Sequence, residues 1–156
     1  MIYYECNNDE VFLKELISPT KKECYHCHGK FRACNLLKKS KNTIALLDKD
    51  PGDPQHRYLK GLQKIYNYEE LKLEILYDRK RDNKIILLIP KLEDWILRVA
   101  RKVNVNPKNF NKLPSDPDEL KEIINLKLND FKNFLQAIKE KNPEEFEVLK
   151  RELRGR

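Results

Sequence analysis

Thr43-Ile44-Ala45-Leu46-Leu47-Asp48-Lys49-Asp50-Pro51-Gly52-Asp53 is the stretch on which the fold turns. Five apolar or β-branched residues in a row, Thr43 to Leu47, suit a strand buried on both faces, as in a parallel sheet covered by helices. Asp48 and Asp50 follow at its carboxyl end, and Pro51-Gly52 turns the chain away. In open α/β sheets ligands sit outside the carboxyl ends of the strands. Two carboxylates at that edge are placed to hold a metal ion.

Working outward, Ile2-Tyr3-Tyr4 reads as a short strand ending at Glu5, and Asn7, Asn8 or Asp9 can cap a helix carrying Phe12, Leu13, Leu16 and Ile17. Ser18-Pro19 stops that helix. Glu23 to Cys27 suits a second short strand, and Phe31, Cys34 and Leu37 predict a helix from about Lys30 to Ser40. Beyond the acidic turn, Tyr58, Leu59, Leu62, Ile65 and Tyr66 predict another helix. Leu71, Leu73, Ile75 and Tyr77 keep a period of two, alternating at first with charged residues, and predict a strand with one wet face. Lys84 to Ile89 is a buried strand, and Leu92, Trp95, Ile96 and Val99 mark the helix after it. Ser115-Asp116-Pro117-Asp118-Glu119 opens a helical stripe running through Leu120, Ile124, Phe131, Leu135 and Ile138, and Pro143 starts a last helix. Strands and helices interleaved up to residue 102 predict an α/β domain, a mostly parallel Rossmann-like sheet flanked by helices. Residues 103–156 are expected to form a helical extension packed on it, whose apolar stripe suits either the core or a homodimer contact.

Lys and Arg outnumber Asp and Glu by 32 to 25, a formal charge of +7 with pI near 9.1, which is compatible with a phosphate-rich partner. No apolar run approaches the roughly 18–20 residues needed to cross a bilayer. The first residues do not read as a signal or transit peptide, so the expected location is cytoplasmic and the four cysteines are expected to be reduced.

Glu5 at the end of the first strand, Asp48 and Asp50 at the end of the central one, and Glu93 at the start of a later helix share one sheet edge if the strands are parallel. Hard cations such as Mg²⁺ or Mn²⁺ take oxygen ligands of this kind. Taken one at a time, each acid also suits a helix or turn cap.

These residues resemble a known family. Glu5-Cys6-Asn7-Asn8-Asp9 resembles the glutamate motif of TOPRIM domains, and Asp48-Lys49-Asp50-Pro51-Gly52 resembles their Asp-x-Asp motif. Gly29 stands where many such domains start the second helix with glycine. Leu92-Glu93-Asp94-Trp95 is similar to a late acidic segment of small stand-alone TOPRIM proteins and OLD-type nucleases. The likeness spans about residues 1–100, with Cys6 where the motif usually has glycine. It implies a Mg²⁺-dependent phosphoryl-transfer site acting on DNA or RNA. Glu5, Asp48 and Asp50 would then be catalytic and metal-binding, with Glu93 as a further ligand and Asp9 and Asp53 in second rank. Lys30, Lys49, His56 and Arg57 could neutralise phosphate charge, although each also suits solvated surface. With no room for the further domains of a topoisomerase or primase, nuclease activity is the leading expectation. A catalytically silent nucleic-acid-binding module is the alternative.

Cys24-Tyr25-His26-Cys27-His28, with Cys34 downstream, has one Cys-x-x-Cys spacing but lacks a second. On a strand Cys27 points away from the face shared by Cys24, His26 and His28. The cysteines are therefore expected to be small buried apolar groups, with a zinc-stabilised interaction protein as the remotest alternative.

Overall fold

A computed structural model describes residues 1–155. Six strands form one sheet: β1 (Ile2–Tyr4), β2 (Cys24–His26), β3 (Ile44–Asp48), β4 (Gln63–Tyr68), β5 (Leu73–Asp78) and β6 (Asn83–Leu88). Their spatial order is β2-β1-β3-β6-β5-β4. β2, β1, β3 and β6 run parallel, and β5 and β4 complete the sheet antiparallel. The helices are α1 (Asn7–Ile17), α2 (Lys30–Leu37), the short α3 (Arg57–Lys60), α4 (Leu92–Lys102), α5 (Pro117–Ile123), α6 (Leu128–Glu140) and α7 (Glu144–Arg154). The expected α/β architecture with C-terminal helices is the one observed. No helix among the described residues is long and apolar enough to cross a membrane.

Side chains alternate across the sheet, so its two faces build two cores. On one face Ile2, Tyr4, Ile44, Leu46, Leu73, Ile75, Ile86 and Leu88 pack against α1, α4 and the C-terminal helices around the fully buried Trp95. The Trp95 indole N–H donates to Leu71 O (2.8 Å), and its ring stacks on Phe146 of α7, so the C-terminal helices share the main core. On the other face Ala45, Leu47, Leu76, Ile85 and Leu87 meet a thinner layer of Cys27, Ala33, Cys34, Leu37, Tyr58 and Leu59. Cys27 and Cys34 thus fill space as small apolar groups, and burial pushes both thiols up, to about 11 and about 12. Glu145, fully buried on α7, accepts from Lys102 Nζ at 2.9 Å and ties that helix to α4.

Three expectations need correction. The helix predicted over residues 58–66 is only α3, because the chain leaves helical pairing at Gly61 and residues 63–68 form the edge strand β4. β5 has no wet face, since Glu74 and Asp78 are buried beside Leu73, Ile75 and Leu76. The long C-terminal helix is broken by a 3₁₀ turn over Ile124–Leu126, which leaves Leu126 81% exposed.

Asn83 joins the thin layer to the sheet. It is wholly buried, accepts from Thr43 N–H (3.0 Å), and donates to Leu37 O (3.0 Å) and Ser40 O (3.2 Å). Replacing it with Ala strands several buried polar groups at once. Asn83→Ala is expected to lower unfolding free energy by about 3 kcal/mol in urea titrations.

Candidate metal centre

β1 is flanked by β2 on one side and β3 on the other, so the connections diverge between β1 and β3. This is the topological switch point at which open α/β sheets leave a crevice beyond their carboxyl ends. Glu5 follows the last residue of β1 and Asp48 is the last residue of β3, one on each side of that crevice. Asp50 lies two residues beyond Asp48 with φ of 47°, a left-handed conformation that Asp tolerates better than most residues. Carboxylate oxygens of Glu5, Asp48 and Asp50 lie within 4.8 Å of one another, a group that could hold a metal ion.

Backbone donors fix Glu5 and Asp48. Asp48 N–H donates to Glu5 Oε1 (3.2 Å), and Leu92 N–H, in the first turn of α4, donates to Asp48 Oδ1 (2.9 Å). Gly29 N–H donates to Glu5 O (3.0 Å). Gly29 caps α2 with φ of 120°, a conformation that side-chain-bearing residues rarely adopt. α1, α2 and α4 therefore all begin beside the acids, each with its positive dipole end towards them.

That field does not balance the charge. Burial, with Asp9 next, raises the Glu5 carboxyl from its usual range to about 8. Burial, then Glu5 and Glu93, also pushes Asp48 upward. The Lys30 ammonium compensates in part, donating to Asp48 O (2.8 Å), Lys49 O (3.2 Å) and Asp50 Oδ2 (3.0 Å). An all-oxygen donor set with this excess of negative charge suits a hard divalent cation and not a soft one.

The remaining sequence-derived residues divide. Asp9 is buried and accepts from Glu5 N–H (3.2 Å) and Cys6 N–H (2.9 Å), so its carboxylate secures the start of α1 behind the site. Burial, with Asp48 next, raises its pKa too. Glu93 is buried and accepts from Asn8 Nδ2 at 3.0 Å, outside the close triad. Asp53 is exposed in the turn, its N–H donating to Asp50 O. Lys49 is drawn away from the acids, its ammonium 2.6 Å from Glu74 Oε1, where Lys64 also reaches at 3.3 Å. His56 caps α3 by accepting from Tyr58 N–H, and Arg57 is exposed beside it. His26 and His28 stack on each other with centroids 3.9 Å apart, and His26 also stacks on Tyr4.

Two contributors had no local signal in the sequence. Asn8 bridges Glu93 and, at 3.5 Å, Lys121 O of α5. The Lys121 ammonium feels Glu93, Cys6, Asp48 and Asp50, and their pull raises its pKa against the opposing effect of burial. The C-terminal segment thus brings a second cation within electrostatic reach of the acids.

Comparison of the chain with models of protein families, with curated proteins and with solved structures finds no match.

Proposed function

We propose that Glu5, Asp48 and Asp50 hold Mg²⁺ or Mn²⁺ and that the protein is a metal-dependent nuclease hydrolysing nucleic-acid phosphodiesters. The observation that carries this reading is the convergence of three carboxylate oxygens within 4.8 Å at the switch point of the sheet. The likeness of Glu5 to Asp9 and of Asp48 to Gly52 to the two TOPRIM motifs supports it, as does the net charge of +7. A divalent ion in such a site lowers the pKa of water and stabilises charge on phosphoryl oxygens.

The chain's own groups have distinct parts. Asp48 and Asp50 supply the further ligands, Asp48 held by the Leu92 N–H and Asp50 by the Lys30 ammonium. Without metal, burial raises Glu5 to about 8; with the ion bound it is ionised and sits at the site as a carboxylate able to accept a proton. Hydrolysis forms one bond, from water oxygen to phosphorus, and breaks one, from phosphorus to the leaving sugar oxygen. Glu5 can take the water proton and return it to the leaving oxygen, which closes the balance. Lys30, bonded to Asp50, and Lys121, in the field of Glu93, would offset phosphate charge.

Cleavage of labelled DNA and RNA oligonucleotides with Mg²⁺ or Mn²⁺ tests the reading. Asp48→Ala combined with Asp50→Ala is expected to reduce the rate by at least about a thousandfold. Cleavage that ignores the double substitution overturns the proposal. Lys30 already engages Asp50 at 3.0 Å, which favours a second reading, a binding module that does not cut. Oligonucleotide binding that survives with no cleavage by the wild type would select it.

A further inference from the structure

Resting on the nuclease reading above, we infer that Phe31 and His56 form a base-stacking step beside the carboxylate triad, so that the polynucleotide taken by the site is single-stranded at the bond it holds. Phe31 is 70% exposed, the most exposed aromatic among the described residues. The core does not need it, because α2 packs on the sheet through Ala33, Cys34 and Leu37, all fully buried. Phe31 follows directly on Lys30, whose ammonium touches Asp48 O and Asp50 Oδ2. An apolar ring is therefore presented to water one residue from a group that contacts the triad.

His56 gives the ring a partner. Their centroids are 5.1 Å apart at 63°, an edge-on contact that leaves a face of Phe31 open to a third ring. His56 Nδ1 accepts from Tyr58 N–H at 3.0 Å, so the proton of the neutral imidazole resides on Nε2. Burial, with Lys38 next, holds the His56 pKa down and favours that neutral form. The imidazole thus offers an N–H donor beside a stacking surface.

The surroundings are basic. Exposed Arg32 on α2, Lys38 at its C-terminal cap, and exposed Arg57 and Lys60 on α3 surround the aromatic pair. Aromatic rings set in a positive surface are how proteins hold single strands, with every base able to stack and cations following the phosphates. Bases inside a duplex are already stacked and cannot reach a ring on a protein surface unless extruded. The pair therefore selects for unpaired nucleotides while leaving base identity open.

The test uses the full chain and a 12-nucleotide single strand carrying 2-aminopurine at successive positions, in DNA and RNA versions, with and without Ca²⁺. Fluorescence quenching is expected at one or two positions. Phe31→Leu, which keeps apolar bulk and removes the ring, should abolish it and weaken single-strand affinity about tenfold. Phe31→Tyr should retain both, and duplex affinity should be the same in all three proteins. Single-strand affinity unchanged in Phe31→Leu, or equal affinity of the wild type for single strand and duplex, overturns the inference. A separate readout, the Mn²⁺-dependent rise in melting temperature, should be identical in Phe31→Leu and wild type. Its absence from the wild type would instead count against the metal centre, and the stacking step would then be decided by the metal-free arm alone.

Discussion

Replacing Asp48 with Asn is expected to make the metal-free protein more stable, by about 0.5–2 kcal/mol at pH 8, while abolishing its stabilisation by Mn²⁺. The two effects share one cause. Burial first, then Glu5 and Glu93, raises the Asp48 pKa, so its charge burdens the folded state. A carboxyl raised in this way stabilises the fold fully below its unfolded pKa, and that contribution is lost as pH rises through the folded value. The metal-free wild type should therefore lose stability between about pH 4 and pH 8, the upper limit being where Glu5 titrates. Asn removes the charge but keeps Oδ1, the atom that accepts from Leu92 N–H, so the start of α4 stays capped. For a chain of this size each kcal/mol is worth about 2–4 °C in melting temperature. Mn²⁺ should stabilise the wild type by about 2.7 kcal/mol at a metal concentration a hundred times Kd, which more than recovers the difference. Thermal melts of both proteins across pH 5–8.5, with and without Mn²⁺, check this. A metal-free Asp48→Asn protein no more stable than wild type at pH 8 would show that the acid carries no burden for a cation to relieve.

Affinity for Mn²⁺ is expected to fall between tenfold and about a hundredfold from pH 7 to pH 6, one decade for each proton the metal must displace. Glu5, at about 8, is still largely protonated at pH 7, and Asp48 is displaced in the same direction. Binding has to ionise them, so the metal competes with protons for the same oxygens. Calorimetric titrations in two buffers of different ionisation enthalpy would count the protons released. An affinity that does not change over this range would mean that the metal binds elsewhere or that the acids are ionised without it.

The parts of the site that were legible in the sequence are those in which one short segment sets both position and chemistry. Asp48 to Gly52 announces itself because the buried strand, the acids and the turn are consecutive. Glu5 follows from a strand of only three residues, β1, because the next residues can start a helix. The orientation of Lys49 was not legible. It depends on Glu74, which enters from a strand that pairs antiparallel with β6 and shows only as one acid among alternating residues. Asn8 and Lys121 were illegible for a stronger reason, since the bond joining them spans 113 positions and depends on how the C-terminal helices dock. β4 was misread because Leu59, Leu62, Ile65 and Tyr66 fall at helical spacing. As an exposed edge strand it has no buried face whose period of two could correct the error.

The unequal thickness of the two layers divides the site in its dynamics. Glu5, Asp48 and the Leu92 amide that holds Asp48 belong to strand ends and a helix anchored in the large core around Trp95. Lys30 and Phe31 ride on α2 and His56 caps α3, both helices held by the small layer of Cys27, Ala33, Cys34, Leu37, Tyr58 and Leu59. Local opening free energy follows the apolar contact that must be broken, so the thin layer opens at lower cost than the sheet beneath it. The centre is in effect a hard seat under a soft cover. On the function proposed above, the carboxylates would keep their positions while Lys30, Phe31 and His56 loosen and re-form, so that a strand would enter and leave without dismantling the acid cluster.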